Sequence, residues 1–124
     1  MRKPGVPFEG PLLRGDVVRV RLNPVQGSEQ GGERPALVVS PDLINRNNPV
    51  ILVAAITTKK VERVYPFEVL VDQEGGLQKR SKVMLMQLRA VDRLRIVERL
   101  GHLSGLTMAS VDDAVRIATG VVPL

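Results

Sequence analysis

Val50–Ile56 reads "VILVAAI" and is the most apolar segment of the chain. It falls well short of the roughly 18 apolar residues of a membrane span. On one side stands the turn-forming "PDLINRNNP" (Pro41–Pro49), and on the other the polar, basic "TTKKVERVYP" (Thr57–Pro66). A short apolar run between such boundaries predicts a core β-strand. Before it, Pro35–Ser40 "PALVVS" predicts a second, central strand. Asp16–Leu22 "DVVRVRL" alternates, with Val18, Val20 and Leu22 on one face and Val17, Arg19 and Arg21 on the other. That is a half-buried strand with a basic outer edge. After the core strand, Phe67–Val71, Ser81–Leu88 "SKVMLMQL" and a short Arg95–Leu100 predict three more, with "DQEGG" (Asp72–Gly76) as a turn.

Only the C-terminal end changes period. Met108, Val111, Val115, Ala118 and Val122 recur at helical spacing and predict an apolar stripe on a helix of about four turns. Asp112, Asp113 and Arg116 fall on its other face, Ser104 is the expected N-cap, and Pro123 can only follow the end. Residues 1–13 carry Pro4, Pro7 and Pro11 with Gly5 and Gly10, and predict a disordered or loosely packed tail. One domain is left over 14–124. Its expected class is mainly β: a small, strongly bent antiparallel barrel of about six strands with a C-terminal α-helix.

A chain of 124 residues with 44% hydrophobic content is one domain with a real core. The absence of cysteine excludes disulfides, thiolate catalysis and cysteine-ligated zinc, and agrees with a reducing compartment. Nothing resembles a secretion signal, so a cytoplasmic location without membrane contact is expected. The net charge of +5 and a pI near 10.2 favour a polyanionic partner, nucleic acid first. Three aromatics, Phe8, Tyr65 and Phe67, are few for a platform stacking several bases.

Much chemistry can be struck out. A single histidine, His102 in "LGHLSG", excludes a two-histidine ribonuclease and reads as a turn or edge residue. No HExxH, paired DxD or carboxylate cluster offers a metal site, and no cofactor is expected. "GSEQGGER" (Gly27–Arg34) lacks the Gly-Lys-Ser/Thr of a nucleotide-binding loop. Gly-x-Ser-x-Gly is missing too. Arginine, hydroxyls, carboxylates and amides remain.

Those groups suffice for RNA, which carries its own nucleophile. The 2′-OH can attack the adjacent phosphorus, leaving a 2′,3′-cyclic phosphate and a free 5′-OH. A protein must hold the attack in line, stabilise the added phosphoryl charge and move protons. Arginine suits the second task, because it stays charged and its planar fork matches two phosphate oxygens. Arg34 is the best candidate: it stands where a glycine-rich loop enters a strand, and Pro35 restricts it to an extended backbone. Thr57 is in the mirrored position, at the polar end of the apolar strand. If those strands are neighbours, the two flank one cleft. Spacing alone leaves open the plainer reading of a solvated strand-end arginine and an ordinary capping threonine.

At these residues the sequence resembles the MazF/PemK family of bacterial toxin endoribonucleases, from about Arg14 to the C-terminus. The likeness is carried by "RGDVVRV" (Arg14–Val20), "NPVQGSEQGGERPALVVS" (Asn23–Ser40), "VAAITTK" (Val53–Lys59), "YPFEV" (Tyr65–Val69) and "VMLMQLRAVD" (Val83–Asp92), in that order. The resemblance implies a homodimer of the SH3-like, CcdB/PemK-like barrel. Its implied activity is sequence-specific, metal-independent and ribosome-independent cleavage of single-stranded RNA (mRNA), silenced by a cognate antitoxin protein. The family's essential arginine and threonine fall on Arg34 and Thr57, and its important loop glutamate on Glu29. Arg34 would neutralise the phosphorane and could donate a proton to the leaving oxygen. Thr57 would bond a non-bridging oxygen, and Glu29 would either orient the 2′-OH or accept from a base edge. Ser28, Gln30 and Gln87 match positions near the RNA, and Arg14 a basic residue close to the strand. Arg19, Thr58, Lys59 and Lys60 are further expected contacts, whose charges would make binding salt-sensitive.

Asn23–Ser40 then reads as a mobile lid over an RNA groove. Gly27, Gly31 and Gly32 let the backbone bend, and Ser28, Glu29 and Gln30 offer donors and acceptors. Where the family commonly places aromatic side chains after Gly-Asp-x, this sequence has Val18 and Arg19. Two other classes stay in view. A toxin that poisons a DNA gyrase subunit shares the barrel but relies on a C-terminal tryptophan motif, and this chain has no Trp and ends "TGVVPL". An inactive RNA-binding relic could dispense with Glu29, Arg34 and Thr57, yet all three are present. An SH3-like adaptor for Pro-rich peptides would need an aromatic-lined groove.

Overall fold

The computed structural model describes residues 8–21 and 32–124. The elements run β1 (Asp16–Arg21), β2 (Glu33–Val38), α1 (Asp42–Asn47), β3 (Val50–Thr57), β4 (Glu68–Val71), β5 (Ser81–Asp92), a 3₁₀ turn (Arg93–Arg95), β6 (Ile96–His102) and α2 (Gly105–Ala118). The strands form one six-stranded sheet in the order β4-β5-β3-β2-β1-β6, and every neighbouring pair is antiparallel. The mainly-β expectation of about six strands and one C-terminal helix is borne out. The stretch Pro41–Pro49, expected as a turn or a single helical turn, holds the short α1.

Both faces of the sheet are buried near its centre, which explains why β3 reads as a continuous apolar run rather than an alternating one. On one face, Val17, Leu37, Ala54, Ile56, Val71, Val83 and Leu85 pack with Val111 and Ala114 of α2. On the other, Val18, Val20, Ala36, Val38, Ile51, Val53 and Ile96 form a second core. Val18 is fully buried in it and contributes to the interior. Leu12 belongs to this core and Phe8 packs against it. The Phe8 N–H donates to the Ile96 carbonyl, and Arg93 donates to the Gly10 carbonyl. Residues 8–13 are therefore docked rather than loose, since irregular backbone can still deliver apolar side chains to a core. Residues 1–7 lie outside the described residues.

The turn after β4 bends the sheet closed. Gly75 and Gly76, both at positive φ, press against Leu100 and Gly101 of β6. A Cβ on Gly101 would sit 2.4 Å from the Gly75 carbonyl carbon, so only glycine permits the approach. Glu74 then reaches α2, where its carboxylate accepts from the Ser104 N–H at 2.8 Å and the Thr107 hydroxyl at 2.7 Å. Ser104 is the N-cap expected from sequence, its side chain accepting from the Thr107 N–H. The helix ends at Ala118, so Val122 of the expected stripe lies beyond it, and Ala114 takes a buried place the stripe omitted.

Accepting chiefly from the Ser104 N–H, and also from the Thr107 hydroxyl, holds the Glu74 carboxyl below its usual range, against the opposing effect of partial burial. A lowered native pKa stabilises fully above the ordinary glutamate value of about 4.3, and the gain is lost as pH falls through the native value. Glu74→Gln is therefore expected to flatten the acid side of the stability–pH curve, measured by urea unfolding, and to leave its slope near neutrality unchanged.

Candidate functional site

Arg34 and Thr57 come together through strand register. β2 and β3 pair Ala36 with Ala55 and Leu37 with Ala54. Continued by two residues, that register sets Arg34 opposite Thr57. On the flanking strands, Val20 pairs with Arg34 and Lys82 with Thr57, so the four positions form one row across the sheet. The row edges a cleft of about 410 Å³ lined by Arg34, Pro35, Ala36, Ala55, Thr57, Lys59, Met84, Gln87 and Arg89, among others. Small side chains at Ala36 and Ala55 leave the concavity. β5 is irregular at this point: Ala54 pairs with Leu88 but Ala55 pairs with Met84. Such a bulge re-aims side chains, and it is here that Gln87 turns into the cleft.

The polar groups are poised for an anion. The Arg34 guanidinium is exposed and, among the described residues, bonds only the carbonyl of Glu33, at 3.2 Å. Thr57 Oγ1 accepts from the Lys59 N–H at 3.0 Å, which occupies a lone pair and leaves the hydroxyl proton free to donate. Lys59 and Arg89 have no carboxylate partner among the described residues. Several arginines elsewhere are ion-paired. Arg14 pairs with Asp112, Arg19 with Glu98 and Glu33, and Arg116 with Asp113. Unpaired cations next to hydroxyl and amide groups make the cleft a phosphate-sized anion site. Among the described residues no three His, Asp or Glu side chains come together as a metal site.

The expected site residues divide accordingly. Arg34, Thr57, Lys59 and Gln87 share the cleft. Thr58 is exposed between Thr57 and Lys59 and does not line it. Lys60 lines the neighbouring trough. Arg14 is elsewhere, its Nε donating to the Val39 carbonyl at 2.8 Å and its NH1 bonding Asp112. Arg19 alternates away from Val20 and is held between two glutamates. Ser28, Glu29 and Gln30, with residues 23–31 of the expected lid, lie outside the described residues, and the remainder of that stretch forms β2 rather than a mobile lid. Arg89 was not anticipated; its spacing of two from Gln87 on β5 was the available signal.

His102 occupies the edge position expected of it, at the end of β6, with Nδ1 2.8 Å from the buried carboxylate of Asp16. The same carboxylate accepts from the Leu13 N–H, so Asp16 ties the docked segment to β6.

A family model described as PemK-like, MazF-like toxin of type II toxin–antitoxin systems matches residues 13–119. The chain belongs to this family. Endoribonuclease EndoA of Bacillus subtilis (strain 168) is 39% identical over 112 residues, covering 90% of this chain and 97% of that protein. Among solved structures, the Deinococcus radiodurans MazE–MazF structure (form II) matches with TM-score 0.76 at 28% identity, over 92% of this chain and 100% of that one. MazF of the same organism (form I) matches with TM-score 0.71 at 29% identity, over 90% and 99%. A mycobacterial endoribonuclease in complex with its cognate antitoxin shares the fold, with TM-score 0.75 at 23% identity over 91% and 99%. The family likeness thus spans the barrel and α2, and it includes the strands that carry Arg34, Thr57 and Gln87.

Proposed function

We propose that this protein is a sequence-specific endoribonuclease toxin that cleaves single-stranded mRNA without metal or ribosome, acts as a homodimer, and is neutralised by a cognate antitoxin. The observation that carries the reading is the meeting of Arg34, Lys59 and Arg89, none of them paired with a carboxylate among the described residues, around the Thr57 hydroxyl in one cleft. The family membership and the 39% identity to a named endoribonuclease support it.

The chemistry follows from the groups available. The RNA 2′-OH attacks its own 3′-phosphorus. A P–O2′ bond forms as the P–O5′ bond breaks, the 2′ proton passes to a base, and the departing O5′ takes up a proton. The products are a 2′,3′-cyclic phosphate and a 5′-OH end. Arg34 stabilises the charge that accumulates on the non-bridging oxygens, and Thr57 donates its free hydroxyl proton to one of them. Lys59 and Arg89 hold the flanking phosphates, and the Gln87 amide can read a base edge through both donor and acceptor. Glu29 orients the 2′-OH or accepts from a base edge.

The test is direct. Purified protein incubated with a long single-stranded RNA in EDTA should cut it at one short sequence. Intact RNA at high concentrations of folded, antitoxin-free protein would refute the reading.

A further inference from the structure

A second concavity runs on from the cleft. This trough, of about 690 Å³, shares Thr57, Lys59 and Met84 with the cleft and continues along Lys60, Glu62, Arg63, Tyr65, Glu68 and Lys82. Its aromatic lining residue is Tyr65, against which Phe67 stacks. The Tyr65 and Phe67 rings stack at 5.4 Å between centroids and 6° between planes. Neither ring belongs to either hydrophobic core, and Tyr65 is 43% exposed. Yet the ring is held in place. The Tyr65 N–H donates to Glu68 Oε1 at 3.1 Å, Lys82 Nζ stands 5.9 Å from the ring centroid, and Arg63 NH1 reaches the Tyr65 hydroxyl at 3.4 Å.

The charges in the trough favour a polyanion. Lys59 and Lys60 have no carboxylate partner among the described residues, Glu68 is neutralised by Lys82, and Glu62 is the remaining acid. A fixed, half-exposed ring beside unpaired lysines, continuous with a phosphate-sized cleft, matches the two requirements of single-strand binding. Those are a cationic track for the backbone and a π-face for a base.

We propose that the trough is a nucleobase-stacking subsite, in which Tyr65, backed by Phe67, takes one base of the single strand flanking the scissile phosphate while Lys59 and Lys60 follow its backbone. This rests on the RNA-cleaving reading above and adds a binding site to it. The stack supplies one base platform on the β3–β4 loop, away from β1, where Val18 is buried.

Tyr65 is the sole tyrosine and the chain has no tryptophan, so intrinsic fluorescence reports on this ring alone. The probe is a 2′-O-methyl oligouridylate of about 12 nucleotides, which cannot be cut, with an abasic strand of the same length as its contrast. The oligouridylate should quench the fluorescence saturably and the abasic strand should not. Tyr65→Ala should weaken binding of the labelled oligouridylate about tenfold or more, while Tyr65→Phe keeps it within about twofold, with circular dichroism confirming the fold. Binding without quenching, wild-type affinity in Tyr65→Ala, or no binding at low salt would each overturn the subsite. Arg34→Ala should still be quenched although it cuts far more slowly. A wild-type protein that is quenched but cuts no RNA would refute the nuclease reading and leave the subsite standing.

Discussion

Arg34→Ala is expected to fold normally and to cleave RNA slower by on the order of 10² to 10³, the usual effect of removing one preorganised group from a developing anion. The fold should survive because the guanidinium is exposed and, among the described residues, its one side-chain hydrogen bond is to the carbonyl of the preceding residue. The rate should fall because the other cation in the same row as Thr57, Lys82, is buried and paired with Glu68. Lys59 is on the loop beyond β3 and Arg89 is further along β5. Arg34→Lys keeps the charge but loses the fork, so it should recover only part of the rate. Single-turnover cleavage of one RNA by the three proteins, with matched thermal unfolding, checks both halves of the claim.

Lys82→Met is expected to destabilise the protein by about 3–5 kcal/mol, because it leaves a carboxylate buried without its partner. The side chains of Lys82 and Glu68 are 6% and 9% exposed, and Nζ lies 2.8 Å from both Glu68 Oε1 and the Arg63 carbonyl. Replacing both charges, Lys82→Met with Glu68→Leu, should recover much of the loss, since a buried ion pair contributes little net stability against apolar residues of similar size. The recovery will be incomplete because the Tyr65 N–H and the Arg63 carbonyl each lose a partner. Urea unfolding of the two single variants and the double variant forms the cycle that measures this. Loosening the same clasp should also weaken RNA binding in the trough, since it fixes the loop that carries Lys59, Lys60 and Tyr65.

Those two residues show what a linear sequence does and does not disclose. Arg34 was legible because its signals are local: a glycine-rich approach, the restriction imposed by Pro35, and an apolar strand behind it. Thr57 was legible as the polar end of "VILVAAI", though only register made it Arg34's neighbour. The strands themselves follow from period and turn residues, and each observed strand lies within a few residues of its expected place. Lys82 was not legible. One lysine in "SKVMLMQL" looks outward-facing, and its burial depends on Glu68, which lies across β4 and β5. The sheet-closing role of "DQEGG" was hidden for the same reason, because it rests on Gly101 of a distant strand. Arg14 shows the converse: the family resemblance implied a place close to the RNA strand, but its guanidinium is committed to Val39 and Asp112. In Phe8 and Leu12, two apolar side chains outweighed a proline-rich backbone.

The central claim is that the RNA supplies its own nucleophile and the Arg34–Thr57 cleft stabilises the resulting phosphorane. The most direct measurement replaces the single 2′-OH at the mapped cleavage site by hydrogen in an otherwise unchanged RNA and analyses the end groups in EDTA. Unmodified RNA should yield a 2′,3′-cyclic phosphate and a 5′-OH, and the substituted site should remain uncut. Cleavage at the 2′-deoxy site, or a 5′-phosphate end from unmodified RNA, would contradict the account.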